Sequence, residues 1–143
     1  MEPVYDSKIE SIYHQQHPHL QRLLDYLPTT FVDANGIVFK AKADFYDPVS
    51  NTYLEVKNRQ LNNLKTKQAC LNRQSVLRQH KGYLTQLDQL SSGWNHSLYK
   101  HLIVQQTLAV LGITYLIVFY RPTKLSKQAL NKMSNLGLNY TIQ

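Results

Sequence analysis

Three charged side chains in the first half of the chain have the types and spacing that water activation at a phosphate requires. Glu55 and Lys57 lie two residues apart, and Asp44 precedes them on the far side of a turn-forming segment. Residues two apart in a β-strand share a face, so Glu55 and Lys57 should point the same way and meet Asp44 if the strands pair. Two carboxylates that converge in this way repel each other when ionised, and either a bound divalent cation or a shared proton relieves that repulsion.

Mg²⁺ suits such a pair because it prefers oxygen ligands, keeps several waters and needs only one or two protein carboxylates beside a substrate phosphate. Mn²⁺ is expected to substitute for it. A neighbouring lysine can hold or deprotonate the attacking water and offset the charge that develops on the phosphate. The residues therefore predict a metal site at Asp44 and Glu55, with Lys57 assisting hydrolysis of a phosphodiester.

Alternating sequence and turn residues predict the strands that would position these side chains. Residues 29–32, 37–46 and 52–57 have β patterns, and turn-forming sequences at 33–36 and 47–51 separate them. Asn-Gly in the first turn favours a hairpin, since both residues tolerate positive φ. We therefore expect a three-stranded antiparallel meander. On its second strand, alternation places an apolar row, Phe39, Ala41, Ala43 and Phe45, opposite a polar row, Lys40, Lys42, Asp44 and Tyr46.

Helical periodicity dominates the sequence on both sides of the predicted meander. A first helix is expected from about Lys8 to Tyr26, with Pro18 bending or splitting it because proline removes an amide donor. A basic helical segment should follow at residues 61–90, divided by Gly82. The sheet is therefore expected to lie between helices.

The last third of the sequence alternates helix and strand patterns. A helix should run to about Leu111, and Gly112 would end it in a left-handed conformation. Residues 113–120 form an apolar run typical of a buried strand, which Pro122 should close. The remaining predicted elements are an amphipathic helix at 124–136 and a short edge strand at 138–142.

Asp44, a hairpin turn and then Glu55-Val56-Lys57 together resemble the D…(D/E)-x-K motif of the PD-(D/E)XK nuclease superfamily. The predicted element order from Lys8 to Tyr120 is similar to that superfamily's core. The resemblance implies an α/β, restriction-endonuclease-like fold, in which the meander and a further strand form a central mixed sheet flanked by helices. The helical segment at about 60–92 would be an insertion. Ala43 departs from the pattern, because many members have proline before the first acid.

The resemblance also implies a function, a Mg²⁺-dependent DNA endonuclease, and two accessory candidates. Some members place a glutamate on the first helix facing the metal, and Glu10 is the candidate here, although it could instead complete a capping box with Ser7. Other members use a polar residue on the helix before the last core strand. Gln105 or Gln106 could take that position or simply face water.

The charge of the chain favours a polyanionic partner such as DNA. Sixteen Lys and Arg residues outnumber nine Asp and Glu residues, which gives a formal charge of +7. Four basic residues after the meander are predicted to contact phosphates, although such residues are also common on the solvated side of a helix. These residues are Lys65, Lys67, Arg73 and Arg78.

Several other classes of protein are disfavoured by the sequence. The single cysteine, Cys70, can form neither an internal disulfide nor a zinc cage, and no nucleophile elbow is present. His14, His17 and His19 match no standard zinc spacing. The longest apolar run is too short to span a bilayer, and the first residues do not resemble a signal peptide, so we expect a cytoplasmic protein without a membrane partner.

The size of the chain predicts its organisation. With 143 residues, it should form one domain over residues 1–143. A compact nuclease core offers little surface for choosing sites, so a homodimer or a subunit of a larger DNA-processing complex is expected. The competing hypothesis is a non-catalytic DNA-binding or assembly subunit that has the same fold without turnover.

Overall fold

A computed structural model describes residues 8–33, 36, 38–59 and 96–143. The helical segment predicted at 61–90 lies outside the described residues. Within them, three helices accompany a mixed five-stranded sheet, and two further strands form a ribbon of their own. In chain order the elements are α1 (Lys8–Gln16), β1 (Gln21–Arg22), β2 (Phe31–Val32), β3 (Val38–Phe39), β4 (Phe45–Asp47), β5 (Thr52–Arg59), α2 (His96–Val110), β6 (Thr114–Lys124), α3 (Lys127–Leu136) and β7 (Tyr140–Ile142).

The five-stranded sheet has the order β1-β4-β5-β6-β7. Its first three strands are antiparallel neighbours, whereas β5, β6 and β7 pair in parallel. Parallel neighbours cannot be joined by a tight hairpin and need a crossover. Accordingly, α2 lies in the connection from β5 to β6, and α3 connects β6 to β7. The coarse prediction of an α/β fold with a mixed sheet is therefore confirmed.

Apolar side chains on both faces of the sheet form two core clusters. On β5, Leu54 and Val56 pack on the side of α1, whereas Tyr53 packs against the cluster that includes α2. Because strand residues alternate, Glu55 and Lys57 share the face of Tyr53. Each buried apolar side chain contributes about 1.5–3 kcal/mol, so the flanking core residues determine which way β5 presents its two charged residues.

The first helix is shorter than predicted, because α1 ends at Gln16 and the chain then turns. The His17 N–H still donates to the Tyr13 carbonyl, but Pro18 has no N–H with which to continue the ladder. The interruption expected at Pro18 is confirmed, and the prediction of helix over residues 19–26 is wrong. The turn instead delivers β1 to the edge of the sheet beside β4, a pairing that the sequence pattern did not predict.

The predicted three-stranded meander is wrong in its middle strand. The first hairpin exists, since β2 pairs with β3, but β3 ends at Phe39 and β4 begins only at Phe45. The chain bends at Asp44, and Ala43 and Phe45 belong to different core clusters although they are two residues apart. Strict alternation would place both on one face. The bend divides the run between two sheets, and the predicted second hairpin is formed by β4 and β5.

The C-terminal elements follow the predicted order with changed bounds. After α2, Gly112 has the predicted left-handed conformation, with φ at 76°. The predicted end of the next strand at Pro122 is wrong, because β6 continues to Lys124 and pairs there with β5 beyond a register shift. Such an irregular position tolerates a residue without a ladder N–H. The last predicted helix and edge strand are confirmed as α3 and β7.

Candidate active site

Asp44 lies at the bend before β4, and hydrogen bonds hold its backbone on both sides. Its N–H donates to the Leu54 carbonyl at 2.9 Å, and its carbonyl accepts from the Leu23 N–H and the Arg22 guanidinium, each at 3.1 Å. Its carboxylate Oδ2 accepts from the Val56 N–H at 2.7 Å. These bonds fix both the backbone and the carboxylate of a residue that is only 6% exposed.

Glu55 and Lys57 project from the same face of β5, as alternation predicted. The Lys57 Nζ lies 3.1 Å from Glu55 Oε1, which makes a salt bridge along the strand. Glu55 is 9% exposed, whereas 40% of the Lys57 side chain is exposed. Lys57 can therefore reach a bound molecule while it remains paired with an enclosed carboxylate.

Glu10 reaches the same site from α1. It is 6% exposed, and its Oε2 lies 3.5 Å from Nη2 of Arg22. It also interacts electrostatically with Asp44 and Glu55, so carboxylates from three parts of the fold meet. Ser7, the partner in the alternative capping role, lies outside the described residues.

The three carboxylates and Lys57 line one open pocket of about 350 Å³. This volume falls within the range of small-molecule sites. The other residues that line the pocket come from α2, from β6 and from the segment before β4. They are Lys100, His101 and Val104 of α2, Tyr115 of β6, and Phe39, Lys40, Ala41 and Lys42.

Burial raises the pKa of both central carboxyls. Burial and the charge of Glu55 raise the pKa of Asp44 to about 6, against the opposing effect of the Val56 amide. Burial also raises the pKa of Glu55, and Lys57 opposes that shift. Burial lowers the pKa of Lys57, but the charges of the three carboxylates outweigh it and raise that pKa overall. Lys57 is therefore cationic at neutral pH, and its charge does not fully compensate the carboxylates.

The donor set of the pocket fits an ion of the magnesium type. Among the described residues, no three His, Cys, Asp or Glu side chains form a group that could hold a metal ion by themselves. Mg²⁺ does not need such a group, since it binds through one or two carboxylates and keeps several waters. Asp44 and Glu55 supply hard oxygen donors, and burial raises the pKa of both because it disfavours their ionised forms, which a divalent cation would stabilise.

Gln105 does not line this pocket. Its Nε2 donates to the Gly137 carbonyl at 2.8 Å, and its Oε1 accepts from the Asn139 N–H at 2.6 Å. The side chain therefore joins α2 to the loop between α3 and β7, which is a structural role. Gln106 is exposed and is also absent from the residues that line the pocket.

The histidines around Pro18 make structural contacts. His14 Nε2 lies 2.9 Å from the Leu20 carbonyl oxygen, and His17 Nδ1 lies 3.0 Å from that of Tyr13. His19 lies 3.8 Å from Asp47. These contacts stabilise the turn after α1.

Sequence reasoning assigned no role to the two α2 residues that carry polar groups into the pocket, Lys100 and His101. His101 lies three residues after Leu98 and three before Val104, both of which are buried against the sheet. A polar residue at this spacing on an apolar helix face is the signal that could have identified it.

The basic residues predicted to bind nucleic acid, Lys65, Lys67, Arg73 and Arg78, lie outside the described residues and stay predictions.

His101 forms a polar pair with Tyr115. Its Nδ1 lies 2.6 Å from the Tyr115 hydroxyl oxygen, and the two rings stack with centroids 5.9 Å apart. Burial, together with the charge of Lys57, lowers the pKa of His101 to about 3. Burial and the nearby carboxylates raise the pKa of Tyr115 well above its usual value. At neutral pH the imidazole is therefore neutral and the phenol keeps its proton.

Comparison with known proteins adds no relative to this picture. No family model matches the chain, and neither the curated proteins nor the solved structures give a significant match. Within residues 8–33, 36, 38–59 and 96–143, no helix is long and apolar enough to cross a membrane.

Proposed function

We propose that this chain is a metal-dependent DNA endonuclease that hydrolyses phosphodiester bonds through Asp44, Glu55 and Lys57, on a restriction-endonuclease-like core. The observation that carries the proposal is the convergence of these three side chains in one pocket. They come from the bend before β4 and from one face of β5, so the hairpin between these strands is enough to bring them together.

Asp44 and Glu55 are the residues that would hold the divalent cation. Such an ion, when bound, would lower the pKa of a coordinated water below that of bulk water and would neutralise charge on the phosphate. Asp44 binds the Val56 amide through Oδ2, so its carboxylate is oriented before any ligand arrives. Glu10 lies close enough to Asp44 and Glu55 to orient them or to bind a water of the ion.

Lys57 would assist the reaction through its charge. It is held beside Glu55 and faces the pocket, where a phosphate gains negative charge in the transition state. A fixed charge at that point stabilises the transition state more than the bound substrate, and this difference is what accelerates a reaction.

The lysines around the pocket support a nucleic acid as the substrate. Lys40, Lys42 and Lys100 are exposed and line the pocket together with the carboxylates. Lysine side chains at such positions neutralise the phosphates on either side of the one that is cut. The net charge of the chain, +7, favours the same partner.

The test is a cleavage assay on supercoiled, linear, single-stranded and branched DNA with Mg²⁺, Mn²⁺ or EDTA. We expect cleavage with either metal, nicking of closed circular DNA, and no cleavage in EDTA. Asp44→Asn and Glu55→Gln should each abolish cleavage while the fold is retained. Asp25→Asn is the matched control, because Asp25 is an exposed carboxylate that does not line the pocket.

The competing binding-subunit hypothesis gives a different result in the same assay. A protein that binds DNA but cuts none of the four substrates with either metal would contradict the proposed hydrolysis. Cleavage that survives in Asp44→Asn would contradict the proposed site even if the parent protein is a nuclease.

A further inference from the structure

The Tyr115 hydroxyl determines which nitrogen of His101 carries a proton. Tyr115 is 1% exposed, and among the described residues its hydroxyl has one hydrogen-bond partner, Nδ1 of His101. A buried hydroxyl that only accepted would leave its strong O–H donor unsatisfied, which costs about 1–3 kcal/mol. It therefore donates, and Nδ1 of a neutral His101 must be the acceptor.

Nε2 of His101 is then the protonated nitrogen. Within the part of the chain that the structure describes, Nε2 makes no hydrogen bond, and His101 lines the pocket that holds the carboxylates. The imidazole thus combines a fixed orientation, a fixed tautomer and one N–H donor that no described residue satisfies.

We propose that His101 contacts the substrate, donating a hydrogen bond from Nε2 to a non-bridging oxygen of the phosphate that is cut, while Tyr115 positions it. This inference rests on the proposed function and deepens it. The strand side of the pocket presents Asp44 and Glu55, which can only accept when ionised, together with Lys57, and α2 presents the Nε2–H of His101 as a neutral donor. A non-bridging phosphate oxygen is an acceptor that this N–H can bind in the pocket.

A neutral donor suits this position next to a metal site. A neutral N–H adds a directed hydrogen bond at this point without adding a further positive charge to those of the lysines that line the pocket. Burial keeps His101 neutral, so the donor is present throughout the pH range in which the carboxylates are ionised.

The first test needs no cleavage and uses ¹⁵N NMR of the histidine side chains in the full chain. The His101 signals are identified by their absence in His101→Gln. We expect the Nε2–H tautomer in the parent protein, and a mixture of tautomers in Tyr115→Phe. Adding a short duplex oligonucleotide in EDTA should shift the His101 Nε2 resonance, and His19 serves as the control because it is exposed and lies outside the pocket.

The second test uses single-turnover cleavage of DNA with a phosphorothioate of each configuration at the scissile position. The parent should cut one isomer more slowly than the other, because sulfur replaces the oxygen that the His101 N–H would bond. In His101→Phe no N–H remains to bond that oxygen, so this difference in rate should disappear. His101→Phe should cut the normal substrate ~10²-fold more slowly, as expected when one preorganised donor is removed. His101→Gln should recover part of the rate, since its amide nitrogen can take the place of Nε2. Gln106→Ala is the control on the same helix.

The outcomes separate this inference from the proposed function. An Nδ1–H tautomer, an Nε2 resonance that saturating DNA leaves unchanged, or an isomer preference that persists in His101→Phe would each overturn the His101 contact, even if cleavage depends on Asp44. A shifted resonance without any cleavage would support the contact and overturn the hydrolysis. Absence of both DNA binding and cleavage would overturn the two together.

Discussion

Asp44 combines a requirement of the proposed chemistry with a cost to the fold. A carboxylate that is buried next to Glu55 is less stable when ionised than it would be in the unfolded chain, and this is why its pKa rises to about 6. The Val56 amide holds the side chain in that unfavourable place. The fold therefore holds Asp44 where its ionised form costs stability, and the proposed metal site would account for that cost.

The first prediction is that Asp44→Asn stabilises the metal-free protein at neutral pH. The pKa of Asp44 is higher in the folded state than in the unfolded chain, so folding stability falls as pH rises from about 4 through about 6. Replacement by the neutral amide should raise the free energy of unfolding by roughly 2–3 kcal/mol at pH 7. The gain should disappear near pH 4, where the folded parent is also protonated.

Denaturant unfolding of both proteins in EDTA at pH 4 and pH 7 measures this difference. Mg²⁺ should raise the melting temperature of the parent and leave that of Asp44→Asn almost unchanged, because only the parent gains a ligand in the folded state. Asp25→Asn, which changes an exposed carboxylate, should behave as the parent does. Equal stabilities of parent and Asp44→Asn at pH 7 would contradict the electrostatic account.

The second prediction concerns Lys57→Met, which keeps the length of the side chain and removes its charge. The single-turnover rate of DNA cleavage should fall ~10²-fold or more, because the charge acts mainly in the transition state. DNA affinity, measured in Ca²⁺ to prevent turnover, should change far less. Lys127→Met is the matched control on α3, and full activity in Lys57→Met would refute the assignment.

At the scale of elements, the bend between β3 and β4 places Asp44 in the site. A straight strand would continue the alternation, with Ala43 and Phe45 on one face. Instead these two residues pack into cores on opposite faces of the sheet, and the turned backbone at Asp44 accepts hydrogen bonds from Leu23 and Arg22. The short strand β1 therefore supports the site through Arg22, which contacts both Glu10 and the Asp44 carbonyl.

The elements also show how far the sequence could predict the fold. The β4–β5 hairpin and the shared face of Glu55 and Lys57 followed from local turn residues and a two-residue period, which act over a few positions. The bend at Asp44 and the strand conformation at Pro122 depend on pairing partners that are distant in sequence. A periodic pattern of apolar residues carries no information about such partners. The role of Gln105 could not be predicted for the same reason, since its partners Gly137 and Asn139 lie more than thirty positions away.

The third prediction belongs to the contact between α2 and the loop before β7. Gln105→Ala removes hydrogen bonds to Gly137 and Asn139, which should lower the free energy of unfolding by about 1–2 kcal/mol. The rate of DNA cleavage at a temperature where the variant is folded should match that of the parent. Gln106→Ala, at an exposed position on the same helix, provides the control. A slower reaction with unchanged stability would instead support a role in the active site.

At the scale of the whole molecule, three of the basic residues lie around the pocket. Lys40 and Lys42 lie near the ring of Tyr26, at 5.7 and 4.9 Å from its centroid, and Lys100 lies 5.3 Å from that of Phe39. These aromatic contacts hold the ammonium groups beside the carboxylates without neutralising their charge. Lys40, Lys42 and Lys100 thus form a positive rim around the negative interior of the site.

The fourth prediction is that this rim contributes to the salt dependence of DNA binding. Removing one ion pair between a lysine and a phosphate should reduce the slope of log affinity against log salt by ~0.9 on duplex DNA. Lys40→Ala, Lys42→Ala and Lys100→Ala should each approach that value, whereas Lys127→Ala, outside the pocket, should leave the slope unchanged. The same titration tests Lys65, Lys67, Arg73 and Arg78, for which a reduced slope is also expected. Unchanged slopes in all three rim variants would assign binding to another surface.

Strand β5 pairs with β4 through a short hairpin and with β6 through a long connection, and this difference bears on the order in which the site forms during folding. The β4–β5 hairpin closes a tight turn between Asp47 and Thr52, whereas the β5–β6 pairing must close the long chain from Arg59 to Thr114, at about 2 kcal/mol more loop entropy. We expect the pairing with the lower loop-closure cost to form first during folding. Asp44 and Glu55 are therefore expected to come together early in a growing or refolding chain, and His101 and Tyr115 are expected to join them only when the chain from Arg59 to Thr114 is closed.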